Sequence, residues 1–403
     1  MNTFDPQTFR NSFPCFQTND LGIYLDNAAT TQLPEQVIAM LNSYYLQGRS
    51  NVHRSSHPRA QMLTDQFEQA RETVAQWLNV AEDSQIIWTS GTTASLNMLA
   101  YGLQGQFLPG QKVLVSTMEH HANLLPWQRL CQHENLRLEI IPVTSEGELD
   151  WPAYEALLDD STAIVAVAHV SNSLGTCNDV AKICHLAKTV GAISIIDGAQ
   201  AVAHLPVDLN AIGCDAYAFS GHKMYAPSGV GVLYGRSTLL KRLHPLLLGG
   251  EMVKHVSFNT ASFRELPFTL EAGTPNIAGV LGLAEAVEFL KTWDNGRYTY
   301  EQNLLNYTYN QLHEIDGLRL LGAPKQRCGV LAFEVQGIHP FDITAWLNEQ
   351  RIAIRCGHHC AIPLTEQFTQ QGSIRVSLAA YNTIDEINYF IEQLKQAIDI
   401  NRL

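Results

Sequence analysis

Through the first 235 residues, short apolar runs alternate with stretches whose apolar positions recur at helical spacing. The runs lie at 21–25, 86–88, 113–116, 140–143, 163–168, 193–196 and 216–219. They carry apolar residues at successive rather than alternate positions, which predicts strands buried on both faces of a mostly parallel sheet. Helical spacing over 4–13, from Pro34 through Tyr44, and over 61–78, 94–100, 151–158 and 179–190 supplies the covering helices. Seven strands separated by helices predict an α/β domain. After residue 235 the alternation stops, and a long polar segment carries Gly249-Gly250 and Gly273-Thr274-Pro275. A long helix over 277–294 follows. Beyond residue 300 a helix, a strand at 330–335, a helix at 341–349 and strands at 352–355 and 373–377 predict a smaller α+β domain. The break falls within 290–305.

Length agrees with this division, because 403 residues exceed what one core usually organises. The net charge of −13, with no basic cluster, argues against a surface that tracks a nucleic-acid backbone. The start MNTFDPQTFRNSF lacks a basic flank and apolar core, so no signal peptide is expected. No 18-residue apolar stretch offers a membrane span. Eight scattered cysteines suit a thiol-reducing cytoplasm better than a disulfide framework.

Candidate chemistry collects at the ends of the predicted strands, where ligands of parallel sheets bind. Asp197 ends one run, and Lys223 follows another in Ser220-Gly221-His222-Lys223. A carboxylate and an amine so placed suit a pyridine aldehyde, one holding the ring nitrogen protonated and the other bonding the aldehyde carbon. A helix cap and a solvated lysine are the plain alternatives. Thr89-Ser90-Gly91-Thr92-Thr93 joins a strand to a helix, so it is either a phosphate cradle or a simple cap. His120, past another strand, can stack on a flat ring or belong to a polar cluster. His53 lies in a polar loop, and Asn172 sits at the tip of the 163–168 run. In Arg355-Cys356-Gly357-His358-His359-Cys360 the ligands are too compressed for a structural zinc site. A reactive thiolate favoured by neighbouring imidazoles and Arg355 fits better. Arg375, inside a strand, suits either a substrate carboxylate or an internal ion pair.

The motifs LDNAAT at 25–30, NVHRSSH at 51–57, SGTT at 90–93, MEHHAN at 118–123 and HVSNSLG at 169–175 form one set. With them come DGAQ at 197–200, SGHKMYAPSGVG at 220–231, EAGTPN at 271–276, RCGHHC at 355–360 and IRVSLAAYNT at 374–383. Together they resemble the pyridoxal-phosphate-dependent cysteine desulfurases of the SufS/CsdA type, with the CsdA branch nearest. The resemblance implies an aspartate-aminotransferase-like fold of type I. A large domain over 20–295 would hold a mostly parallel seven-stranded sheet, and 1–19 with 296–403 would form the small domain carrying the catalytic cysteine. It implies that Lys223 forms the Schiff base, Asp197 partners the pyridine nitrogen and His120 stacks on the ring. Gln200 would donate to the phenolic oxygen, and Thr92, Ser220 and His222 would bind phosphate. Thr274 would reach the cofactor of the other subunit in a homodimer. His53, Asn172, Arg355 and Arg375 would handle substrate, and Cys360 would accept sulfur, with no metal. The implied reaction converts L-cysteine to L-alanine through a persulfide on Cys360. Sulfur would pass to a SufE/CsdE-like acceptor protein serving sulfur metabolism and iron–sulfur cluster assembly. Selenocysteine and cysteine sulfinate would be further substrates. Two departures from the family pattern are Cys356 and Ala226.

Overall fold

The computed structural model describes residues 4–18 and 21–402. Seven strands form the main sheet in the order Ser84–Thr89, Gly231–Arg236, Ala216–Ser220, Ile193–Asp197, Thr162–Ala168, Lys112–Ser116, Arg137–Ile141. Gly231–Arg236 runs antiparallel to both neighbours, and every other pairing is parallel. Side chains alternate across the sheet, as strand geometry requires. Ile196, Tyr217 and Phe219 face one core with Val37, Phe67 and Val287, under the helices Glu35–Leu46, Pro58–Trp77 and Ile277–Trp293. Ile195, Ala216 and Ala218 face the other with Leu96, Val113 and Trp127, under Thr92–Gly102 and Leu125–Glu134. Both faces being covered explains the unbroken apolar runs.

One expected strand is replaced by another. Residues 21–25 stay out of the main sheet, where Ile23–Tyr24 instead pairs in parallel with Ile352–Ala353. The seventh place belongs to Gly231–Arg236, whose glycines make it read as a turn. Gly231 is needed there. A Cβ on it would lie 2.4 Å from the Gly91 Cα, so its absence lets the strand end close against the Ser90–Thr92 turn.

A second, antiparallel sheet runs Leu318–Leu320, Val330–Val335, Ser373–Ser377, Arg355–Gly357. It packs with the helices Arg297–His313, Pro340–Glu349 and Ile384–Arg402 around Leu331, Phe333, Ile374, Phe390 and Leu394. The expected strand 352–355 is therefore two strands in different sheets. The expected division between residues 19 and 20 lies outside the described residues. On either side of it, Phe9 and Phe13 pack against Tyr225 and Phe289, while Leu25 joins the core of the second sheet. The long segment after 236 contains a hairpin, Val253–Val256 with Ala261–Phe263. Among the described residues no helix is long and apolar enough to cross a membrane.

Candidate active site

A cavity of about 270 Å³ opens at the carboxyl ends of the parallel strands, between the two sheets. It is lined by Thr92, His120, Asn172, Asp197, Gln200, Ser220, His222, Lys223, Arg355, Cys360 and Arg375. These are eleven of the thirteen residues expected to act; His53 and Thr274 lie elsewhere in the chain.

Lys223 closes a single 3-10 turn, Gly221–Lys223, that follows the Ala216–Ser220 strand. The turn is pinned from outside. The His222 carbonyl accepts the Thr31 N–H at 2.8 Å and the Thr30 hydroxyl at 3.0 Å, and Tyr225 N–H donates to Thr31 Oγ1 at 2.7 Å. Tyr225 adopts a left-handed φ of 65°, and its neighbour Ala226 does not, so alanine there carries no backbone strain. Burial pushes the Lys223 amine below its ordinary pKa, against the pull of Asp197 and with the help of Arg375.

Asp197 ends the Ile193–Asp197 strand and is buried. Its Oδ1 accepts the Ala199 N–H at 2.9 Å. Burial raises its pKa, and that donor and Lys223 pull the other way. Lys223 and Asp197 act on each other's charge, and both line the same cavity. Behind Asp197, Gly198 sits against the Tyr217 ring, where a Cβ would fall 1.9 Å from Cε1. The Tyr217 hydroxyl pairs with His169 Nδ1 at 2.9 Å.

His120 follows the Lys112–Ser116 strand. Its Nδ1 accepts the Ala122 N–H at 3.0 Å, which places the proton of the neutral ring on Nε2. Burial, then the charge of Lys223, lowers its pKa to about 4, so the ring is neutral at neutral pH. Gln200 donates from Nε2 to the Ala28 carbonyl at 2.7 Å.

The anion end of the cavity is built where Gly91, at φ 147°, caps the Thr92–Gly102 helix. Thr92 N–H and Oγ1 meet Ser220 Oγ at 2.8 and 2.7 Å, bringing two hydroxyls and a helix N-terminus together. His222 is held below its ordinary pKa by burial and by Lys223. The buried carboxylate with one open oxygen, the unpaired lysine and the donor cradle fit a flat pyridine that carries a phosphate.

The opposite wall comes from the second sheet. Asp26 accepts from Arg375 at 2.8 Å on Oδ1 and from Arg355 at 3.0 Å on Oδ2. Arg375 also donates to the Asn172 carbonyl at 3.0 Å, and its buried Nε has no partner. Asn172 Nδ2 donates to the His359 carbonyl at 2.6 Å, and the Cys360 carbonyl accepts the His121 N–H at 2.8 Å. His359 and Cys360 both adopt left-handed φ, at 53° and 57°, so the turn is sharp and fastened on both sides. The Cys360 thiol is exposed into the cavity. Cys356 instead takes the Thr344 hydroxyl at 3.3 Å and packs on the small core.

The help expected from neighbouring imidazoles is not supplied by His359. His359 bonds Ser373 Oγ at 2.9 Å, and burial lowers its pKa to about 3, so it carries no charge near Cys360 at neutral pH. Two residues of the site were not anticipated. Asp26 and His121 were visible only as members of polar runs, and nothing in their spacing marks the arginines and cysteine turn they hold. His53 sits with Glu68 at 2.9 Å and Phe67, and Thr274 lies in an exposed pocket with Tyr45, Arg49 and Asn51. Among the described residues no group of three or more His, Cys, Asp or Glu could hold a metal.

The aminotransferase class-V family model matches residues 23–390. A probable cysteine desulfurase of Pseudomonas putida is 41% identical over 402 residues, covering 99% of this chain and 100% of the relative. One from Staphylococcus epidermidis is also 41% identical, over 98% of this chain and 97% of its own. The crystal structure of the cysteine desulfurase CsdA from Escherichia coli, in an S-sulfonic acid form, superposes with TM-score 0.92 at 39% identity. It covers 99% of this chain and 100% of that one. The apo cysteine desulfurase of Thermococcus onnurineus NA1 gives TM-score 0.93 at 36% identity, over 99% of both chains.

Proposed function

The chain belongs to the aminotransferase class-V family, and from that premise we propose that it removes sulfur from L-cysteine, leaving L-alanine and a persulfide on Cys360. Its fold is the type I pyridoxal-phosphate fold, and the enzyme is pyridoxal-phosphate-dependent. The observation that carries the proposal is the exposed Cys360 thiol in one cavity with Lys223, Asp197 and Arg375.

Lys223 would hold the aldehyde carbon, Asp197 the ring nitrogen and Thr92, Ser220 and His222 the phosphate, with His120 against the ring and Gln200 at its phenolic oxygen. When bound, the cofactor supplies an electron sink for the charge left at the substrate Cα. Arg375 and Asn172 bind the substrate carboxylate, with Arg355 at the cavity mouth. The Lys223 amine, kept below its ordinary pKa by burial, takes the Cα proton and later returns it. The Cys360 thiolate attacks the substrate sulfur. A sulfur–sulfur bond forms as the carbon–sulfur bond breaks, and protonation of the former sulfur-bearing carbon completes alanine. A second thiol, on a SufE/CsdE-like acceptor protein, then takes the sulfur toward iron–sulfur cluster assembly. The exposure of Cys360 supports that handover. Selenocysteine and cysteine sulfinate carry the same carboxylate and amine, and we include them as substrates. We place the enzyme in the cytoplasm as a homodimer in which Thr274 serves the neighbouring subunit's site.

The test is product stoichiometry with purified protein and a thiol reductant. Equal yields of sulfide and alanine from L-cysteine are expected, and a keto acid product with no sulfide would overturn the proposal.

A further inference from the structure

All eight cysteines are free thiols, and two of them lie together away from the reaction cavity. Cys177 Sγ and Cys328 Sγ are 3.0 Å apart, closer than two non-bonded sulfurs ordinarily pack, although 151 residues separate them in the chain. Their backbones are already coupled. Cys177 N–H donates to the Gln326 carbonyl at 3.0 Å and Cys328 N–H to the Gly175 carbonyl at 2.9 Å, on either side of the Thr176–Arg327 bridge. Cys177 belongs to the loop after the Thr162–Ala168 strand, the loop that carries Asn172. Cys328 lies two residues before the Val330–Val335 strand, which pairs with the strand of Arg375. The thiol pair therefore bridges the two walls that position Arg375 and the cysteine turn, without touching either.

We propose that Cys177 and Cys328 are a dithiol oxidation site, closed to a disulfide by a small-molecule disulfide and reopened by thiols. Cys177 is the half-buried, reachable sulfur, whereas Cys328 is buried. The hydrogen bond to Cys177, then burial, holds the Cys328 thiol protonated, which leaves Cys177 as the attacking sulfur. Cys177 thiolate attacks one sulfur of the oxidant, forming a mixed disulfide and releasing one thiolate. Cys328, losing its proton, then attacks Cys177 Sγ and expels the second thiolate. The two protein thiols lose two electrons and two protons, and the oxidant's sulfur–sulfur bond takes both, leaving two small thiols. The closed bond ties the Asn172 loop to the second sheet covalently. This site stands apart from the desulfuration reading, since neither sulfur lines the cavity.

The experiment uses folded holoenzyme carrying C360S, which removes the one fully exposed thiol. Oxidised glutathione is the probe, followed by alkylation in denaturant and digestion without reduction. Alkylated thiols should fall from seven to five, with a Cys177–Cys328 cross-linked peptide lighter by two hydrogens. Dithiothreitol should restore seven. The oxidised form should melt at a higher temperature than the reduced one, a shift absent in C177S/C360S. A glutathione adduct that persists on Cys177, seven alkylated thiols after oxidation, or a cross-link with no change in melting would each overturn the proposal. Because no outcome depends on turnover, failure here and failure of the desulfuration reading are separately visible.

Discussion

Cys356 and Cys360 are four residues apart and meet different surroundings. Cys360 sits at a left-handed turn, exposed into the cavity; Cys356 points toward Thr344 and the small core. C360S is expected to retain bound cofactor yet lose cysteine turnover by on the order of 10²-fold or more, because a serine hydroxyl is too weakly acidic to attack sulfur. C356S should keep most activity. Mass spectrometry after cysteine treatment locates the persulfide, and finding it on Cys356 would reverse the assignment. Glu119 makes a second prediction at this scale. It is buried and accepts from Ser116, Asn123 and the Ala168 N–H, and burial raises its pKa to about 8. The folded state thus keeps a proton that the unfolded chain gives up above about pH 4.5. Its contribution is full below that pH and is lost as pH rises through about 8, at up to about 1.4 kcal/mol per pH unit. Between about pH 5.5 and 7.5, E119Q should therefore gain on the native protein by on the order of 2 kcal/mol in urea unfolding. Parallel stability curves would sink this. Lys223, Asp197 and Cys360 were legible from the sequence because each is chemically conspicuous at a strand end or in a short motif. Glu119 was not, since a carboxylate beside a histidine pair reads as polar surface until its burial is known.

Elements explain why some residues cooperate that no local pattern joins. The Ile23–Tyr24 strand pairs with Ile352–Ala353, and that pairing delivers Asp26 to two arginines from different strands of the second sheet. The two ion pairs differ in worth. Arg355 is 44% exposed and Arg375 only 2%, so solvent screens the first and not the second. R355A should cost roughly 0–1 kcal/mol of stability. D26A leaves a buried guanidinium without its counter-ion and should cost about 3 kcal/mol or more, with a raised KM for cysteine as Arg375 shifts. Equal losses in the two variants would show that burial does not set the difference. Here the sequence was read least well. The run 21–25 looks like any other buried strand, and only the long-range partner decides which sheet takes it. Gly231–Arg236 was missed for the opposite reason, since its glycines answer to a contact with Gly91 rather than to local propensity.

At the scale of the whole molecule, two expected site residues remain outside the cavity that their own chain forms. Thr274 is exposed, in a pocket with Tyr45, Arg49 and Asn51. Apolar surface surrounds it. Tyr45, Leu46, Leu247 and Leu248 are all exposed, and the Gly273 N–H donates to the Gly250 carbonyl at 2.9 Å, drawing the leucines beside the Thr274 segment. That segment is itself rigidly anchored, because Glu271 is held by Arg71 at 2.6 Å and by the Trp88 N–H at 2.7 Å. An anchored loop ringed with exposed apolar side chains is the surface expected of a subunit contact. In a twofold dimer the same patch meets itself, so each Thr274 can reach across to the other chain. The expected particle has a mass of roughly 90 kDa, twice the 44.8 kDa chain. Charging the patch with L247E/L248E should yield monomers that release pyridoxal phosphate. T274A alone should weaken cofactor retention about 10-fold while the mass stays dimeric, the loss of one hydrogen bond to a charged phosphate. Sedimentation and the yellow absorbance of the bound cofactor, read together on one sample, decide the matter. A monomer that keeps its cofactor and full turnover would show that the cavity within one chain is complete.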